Sequence, residues 1–576
     1  YLKQEGIITN TDAERFGMRA NLEYKVNSWL KVGARLNYIR RNSQEPFDLS
    51  RVFFIQSGAA PFIAPYTRDG RFGSVEAIAQ DGTLLYDNRN PLIDASNGAT
   101  KTTLDYMSLN AFATVDFTKD LNLQVTWASN GNWKMVDKYN ETLYGYTDSG
   151  IETMTINYNR DGLEMSREQI STMRNNFHAT LNYSKKFVEK HSVAGILGAQ
   201  LENYNIKNVY ARRTDPAKDG LTQVDAGTNG IQGKGNMQGL RMASYFGRLN
   251  YAFADKYLFE MNLRADASSR FKRGNRWGVF PGFSAGWRLS EESFIKNVNI
   301  FSNMKLRASW GQLGNERIDL FRYVDLMNLK VIKNDGSITD YNYPLNGAMQ
   351  SGAAITAYND PNITWETTTM TNVGIDASLL NGNLDFSFEF FDKRTSDILR
   401  KVTLPDQVGG LDGPIRNIGE VSNKGFELNM GYRNNIGDFR YEVNGNMTFI
   451  KNKIVSLKGQ TIIDGMFILE EGKPIDSYYM LHAIGIFQSE EEIKNSPYQT
   501  AATKPGYLKF EDTNGDGKIT EDDRQIRGGV IPKITYGFNI NLGYKDWDLS
   551  AFFQGVTDVY TYGDRIGATP LWFGCG

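Results

Sequence analysis

The sequence predicts an all-β fold, a transmembrane antiparallel up-and-down β-barrel, on three observations. Segments of strand length alternate apolar with polar residues, short turns alternate with long polar connections, and aromatic residues gather beside the short turns. The first hairpin shows the alternation. Phe16, Met18, Ala20, Leu22, Tyr24 and Val26 interleave with Gly17, Arg19, Asn21, Glu23 and Lys25. After a turn near Asn27 and Ser28, Leu30, Val32, Ala34, Leu36 and Tyr38 interleave with Lys31, Gly33, Arg35 and Asn37. One face is apolar and the other charged, as a wall between lipid and water requires.

The hairpin recurs about Thr118 to Asp120, Val188 to Lys190, Ala254 to Lys256, Asn381 to Gly382, Asn434 to Asp438 and Lys545 to Asp546, with a wider turn from Glu291 to Asn297. That makes roughly eight hairpins, or about sixteen strands of about ten residues each. The intervening segments 41–102, 130–175, 205–240, 314–365, 395–423 and 488–530 hold no comparable turn and read as long connections. Short turns on one side and long loops on the other are the asymmetry of outer-membrane barrels. Trp29, Phe187, Tyr257, Phe439, Tyr544 and Trp547 fall where an interfacial girdle belongs. A soluble propeller would instead repeat one signature at a fixed period, whereas this hairpin spacing varies.

Composition agrees. Tyr (30), Phe (33) and Trp (9) are plentiful, Gly reaches 56 and Pro only 15, which suits strands joined by glycine-bearing turns. Mean hydropathy is -0.45, and no apolar run reaches about 18 residues, so helical spans are excluded while a barrel with one wet face is not. A net charge of -2, without a basic patch, argues against nucleic acid as a partner. Cys575 is the only cysteine, so disulfide frameworks and thiolate metal sites are excluded. The chain opens at Tyr1 without a signal peptide or initiator Met and reads as a fragment.

One segment carries metal chemistry. Residues 512–523, DTNGDGKITEDD, match the twelve-residue calcium loop D-x-[DN]-x-[DN]-G with an acidic last position, an EF-hand-like loop within an extracellular connection. Asp512, Asn514 and Asp516 would supply side-chain oxygens and Lys518 its carbonyl. Thr520 would give a direct or water-mediated contact, and Asp523 the closing carboxylate. Gly517 allows the sharp turn, and the expected ion is a structural Ca2+ that stiffens the loop. The stretch before the loop does not read as a helix, and Asp523 is shorter than the usual Glu.

No catalytic set emerges, and the chain reads as a non-enzyme. Gly282-Phe283-Ser284-Ala285-Gly286 fits G-x-S-x-G, but the alternation of Val279, Pro281, Phe283, Ala285 and Trp287 runs straight through it, so Ser284 is a polar-face strand residue. The glycines from Gly230 to Gly239 miss dinucleotide-binding spacing and read as a flexible loop. His178, His191 and His482 are too scattered for a metal site, and Glu490 to Glu492 reads as a solvated loop helix.

Several stretches together resemble the SusC/RagA group of TonB-linked outer-membrane transporters. They are RADASSRF (264–271), NRWGVFP (275–281), WRLSEESF (287–294), LRASWGQLGN (306–315), WETT (365–368), RTSDIL (394–399) and NIGEVSNKGFE (417–427), with YLKQEGII (1–8) at the start. The resemblance implies a barrel of about 22 strands around an N-terminal plug. The whole of 1–576 would then be a partial barrel, roughly strands 4 to 19, with the plug, the TonB-binding segment and the terminal strands missing. It also implies an outer-membrane location and active import of a nutrient energised through TonB. The cargo would be an oligosaccharide first or a peptide second, taken with a SusD-like surface lipoprotein. The alternatives are a passive outer-membrane barrel, a surface adhesin without energy coupling, or a non-functional truncated remnant.

Overall fold

A computed structural model describes the chain except residues 59–62, 79–83, 88–89, 154–162, 219, 326, 329, 333–337, 346, 356–357, 403–406, 408–412 and 563–576. Cys575 lies outside the described residues. The chain folds as two compact units, one from Tyr1–Leu181 with Gly198–Ala243 and one from Asn182–Leu197 with Ser244–Tyr562.

In the first unit an antiparallel ladder runs through Leu2–Glu5, Asp12–Lys25, Leu30–Glu45, Ala99–Thr118 and Leu121–Tyr139. Its register pairs Leu22 with Ala34 and Ala34 with Ala111, so the apolar residues of neighbouring strands share one face, as the alternation requires. The connection after Glu45 is not extended chain. It forms helices Leu49–Gly58 and Pro91–Ser96, with Val52, Ile55, Ile93 and Ala95 buried. Asn90 caps the second helix by accepting the Leu92 N–H (3.0 Å), while its amide donates to the carbonyls of Pro65 (2.8 Å) and Gly73 (3.0 Å).

The second unit continues the same up-and-down order through Tyr257–Ser268, Trp277–Arg288, Phe301–Asn315, Glu366–Leu379, Leu384–Lys401, Ile415–Ile436, Phe439–Ser456, Ile534–Tyr544 and Trp547–Thr557, every successive pair antiparallel. Three longer strands, Glu164–Phe187, His191–Pro216 and Gly227–Phe253, contribute residues to both units. Among the described residues the ladder strands number seventeen, the four-residue Leu2–Glu5 included, close to the sixteen expected.

The short turns fall where the sequence places them. Positive φ angles at Val188, Glu189, Ala254, Asp255, Asn381, Gly437 and Lys545 mark the reversals. Beside them Phe253 stacks on Tyr257 (6.3 Å between centroids) and Tyr257 on Trp287 (6.2 Å), and farther along the ladder Phe439 stacks on Tyr441 (5.8 Å), as an aromatic rim requires.

Strand length is the main correction. His191–Pro216 and Gly227–Phe253 have 26 and 27 residues, so most of 205–240 is ladder and Gly230 to Gly239 is strand, not flexible loop. The 395–423 segment is likewise strand up to Lys401 and from Ile415. A membrane uses only about ten residues of each strand. Past the apolar band both faces meet water, so the period-2 signal stops while the backbone ladder continues. Ser284 sits in the Trp277–Arg288 strand opposite Glu260 and Ser309, as expected of a polar-face residue. Glu490–Lys494 is the expected loop helix, N-capped by Ser489.

Most of the stretches that carry the family resemblance, 264–271, 275–281, 306–315, 365–368, 394–399 and 417–427, lie toward the long-loop end of the second unit. Trp365, 6% exposed, packs against Phe271 (5.4 Å) and Phe280 (5.5 Å), and its indole N–H donates to the Arg276 carbonyl at 2.8 Å. A β-carbon at Gly278 or Gly314 would clash with Cζ of the Phe280 ring. Around this cluster Asn315 donates to Glu366 (2.6 Å), Glu366 accepts the Leu399 N–H (2.8 Å), and the Asn417 amide binds both Thr364 backbone groups (3.0 Å each). The motifs tie strand ends together.

Candidate functional site

Two regions carry polar chemistry. The first is the polar face of the second unit. Register places Glu260, Ser284, Ser309 and Asn372 in one row across four strands, and Asp376, Ser387, Asn429 and Asn446 in another. Several charges on this face are paired. Arg307 donates to Asp376 (3.0 Å) and pairs with Glu389, while the Ser387 hydroxyl donates to Asp376 at 2.9 Å. Arg264 binds Asp266 (2.8 Å) and the Ser244 hydroxyl (3.0 Å). Two cavities of about 380 and 390 Å³ open on the face. Asn250, Glu260, Ser284, Lys305, Arg307 and Ser309 line one; Asn303, Asp385, Ser387, Asn429, Asn444 and Asn446 line the other. The result is a wall rich in amides and hydroxyls, which donate and accept without net charge.

The second region lies in the connection between Ser456 and Ile534. A four-stranded sheet of Ile462–Asp464, Phe467–Leu469, Ser477–Met480 and Gln525–Gly529 is seated on an apolar cluster of Val421, Ile454, Leu457 and Leu469. Glu471 fastens its base by accepting the backbone N–H groups of Leu457 (2.6 Å) and Gly459 (3.1 Å). Those donors, joined by the Ser456 hydroxyl, hold its carboxyl below the usual range. A carboxylate depressed in the folded state contributes stability that is present above its unfolded pKa and lost as pH falls through the lower folded value. Amide exchange at Leu457 and Gly459, corrected for its intrinsic pH dependence, is therefore expected to accelerate only below about pH 4. The Glu471→Ala variant, which removes the acceptor, should exchange fast throughout.

The same connection carries the calcium-type loop. Leu508–Phe510 precedes it as a strand, so the loop lacks the flanking helix of an EF-hand, as the sequence indicates. Gly515 and Gly517 adopt φ of 75° and 79°, left-handed values that glycine accepts without strain. Asp512 accepts the N–H groups of Gly515 (2.7 Å) and Gly517 (2.9 Å), Asn514 that of Asp516 (2.9 Å), and Asp516 that of Lys518 (2.8 Å). Ile519, half-buried, donates its N–H to the Tyr498 carbonyl (2.8 Å), and the Gly517 carbonyl accepts from Tyr498 (2.9 Å). Thr520 caps the short helix Glu521–Asp523. Asp523 is fully buried and accepts N–H groups from Thr513 (2.9 Å) and Thr520 (2.7 Å), bracing the two ends of the loop.

Four of the six expected ligands, Asp512, Asn514, Asp516 and the Lys518 carbonyl, thus lie on one tight turn. All are hard oxygen donors, the type calcium takes. Among the described residues no three His, Cys, Asp or Glu side chains form a metal cluster, so a cation here would draw equally on amide and backbone oxygens. Sequence reasoning missed the Trp365 cluster and the helices Leu49–Gly58 and Pro91–Ser96. For the latter, Asn90 followed by Pro91 was a readable helix start.

An apolar face, a polar face and an aromatic rim at the short turns define an outer-membrane β-barrel wall. Residues 60–572 match the TonB dependent receptor-like β-barrel family, and the chain belongs to it. Its relatives include the TonB-dependent receptor P26 of Formosa agariphila, 29% identical over 593 residues covering 98% of this chain and 56% of that protein. The TonB-dependent receptor SusC of Bacteroides thetaiotaomicron is 32% identical over 331 residues, 56% of this chain and 32% of its own. The RagAB peptide transporter superposes with a TM-score of 0.75 at 21% identity, over 95% of this chain and 58% of that one. The chain spans about half the length of the curated relatives it matches over nearly its whole length. It is an outer-membrane β-barrel of the TonB-dependent receptor type.

Proposed function

We propose that the protein containing this chain imports a nutrient across the outer membrane, energised through TonB, and that this chain is most of its barrel wall. Membership of the TonB-dependent receptor family carries the reading. The polar face favours a neutral polyhydroxylated cargo, an oligosaccharide, ahead of a peptide. Several of its charges pair with one another, as Arg307 does with Asp376, while the amides of Asn429 and Asn446 and the hydroxyls of Ser284 and Ser309 line the cavities where they can exchange hydrogen bonds with sugar hydroxyls. A SusD-like lipoprotein would close over the long-loop end. Gene deletion tests the cargo class. Deletion cells should lose uptake of fluorescent oligosaccharides and keep uptake of labelled peptides, and the reverse pattern would assign the peptide.

The loop at 512–523 is proposed to hold a structural Ca2+ through Asp512, Asn514, Asp516 and the Lys518 carbonyl, with Thr520 and Asp523 completing the set. The ion would sit among the side-chain oxygens that now accept the loop's backbone N–H groups, its positive charge balanced by the carboxylates of Asp512 and Asp516.

A further inference from the structure

The apolar face of the second unit has a notch in it. Register places Phe259, Ala285, Ala308 and Val373 side by side on four successive strands, so two large side chains flank two methyl groups. Just above, Phe283 stacks on Trp310 with centroids 6.1 Å apart; just below lies Trp287, stacked on Tyr257 at 6.2 Å. The small pair thus floors an apolar hollow of about 450 Å³ walled by Phe259, Val373 and the stacked rings of Phe283 and Trp310. All four flooring and flanking residues are exposed on the band that meets lipid.

We propose that this notch is a binding slot for one acyl chain of a phospholipid in the periplasmic leaflet. Three observations commit the occupant. The notch is continuous with the lipid-facing band, so at that depth lipid is what covers it. Its position fixes the leaflet: Ala285 is two residues from Trp287, whose partner Tyr257 adjoins the 254–256 turn, and short turns are periplasmic. Tyr257 and Trp287 then lie at headgroup level, where amphipathic rings settle. Lipid tails gain no hydrophobic driving force from an apolar wall, so retention depends on van der Waals contact. A flat wall offers one side of contact, whereas the notch offers a floor and three walls.

The test uses the full-length protein extracted from outer membranes in a mild detergent and weighed by native mass spectrometry. Wild type is expected to retain one phospholipid. The double variant Ala285→Phe, Ala308→Phe, which fills the notch with side chains the lipid face already tolerates, should reduce that occupancy at least tenfold. Val279→Phe, on the same face outside the notch, should leave it unchanged. Heat-modifiable gel migration checks folding, and Ala308→Leu replaces the double variant if that fails. A wild type that retains no lipid, equal occupancy in the filled variant, or a retained mass matching lipid A would each overturn the proposal.

Discussion

Replacing Trp365 by Ala is expected to lower the stability of the folded protein by about 3–5 kcal/mol, the range for emptying a large aromatic site in a packed core. The site has little room to collapse. Phe271 is fully buried, Phe280 is 8% exposed, and the Gly278 and Gly314 backbones already press on the Phe280 ring. The Arg276 carbonyl would also lose its indole donor. Trp365→Phe keeps most of the ring contact and loses that hydrogen bond, so it should cost about 1 kcal/mol. Guanidinium unfolding of the refolded protein in detergent micelles measures both. A midpoint for Trp365→Ala within error of wild type would show that the motifs do not hold the strand ends together.

Calcium is expected to protect the 512–523 loop strongly. At a hundredfold excess over its dissociation constant, a ligand that binds only the closed loop adds about 2.7 kcal/mol to the free energy of opening. With an extracellular-grade affinity of about 10⁻⁴ M, that excess is reached near 10 mM Ca2+. Amide exchange across 512–523 should then slow by about a hundredfold. The double variant Asp512→Ala, Asp516→Ala removes two ligands and should abolish the response, while magnesium should give little of it because it demands a smaller octahedral cage. Identical exchange with calcium and with chelator in the wild type would show that Asp512, Asn514 and Asp516 serve only as hydrogen-bond acceptors for the turn.

The spanning part of the wall was legible because lipid on one side and water on the other impose a period of two, and Phe16 to Val26 or Leu109 to Phe117 display it without interruption. The turns were legible for a related reason, since the left-handed residues at Asn381 and Asp255 belong to types that accept that geometry. The extensions of the strands were not. From Thr228 to Gly239 hydrogen bonding is carried by backbone groups common to every residue, and side chains exposed on both faces leave no periodic mark. The Trp365 cluster was hidden for another reason. Its members, Phe271, Phe280 and Trp365, are distant in sequence, and only the register of the intervening strands brings them together. The loop at 512–523 could be read because its ligand pattern is local, yet the burial of Asp523 depends on its contacts with Thr513 and Thr520, which no spacing rule displays.

Energy coupling is the central claim, and the direct measurement is uptake of the labelled oligosaccharide by cells carrying the intact gene, compared with the same cells lacking TonB. The account predicts saturable uptake that falls to the level of the gene deletion when TonB is removed or a protonophore collapses the inner-membrane gradient. Uptake that persists without TonB and rises linearly with concentration would contradict it and make the barrel a passive pore.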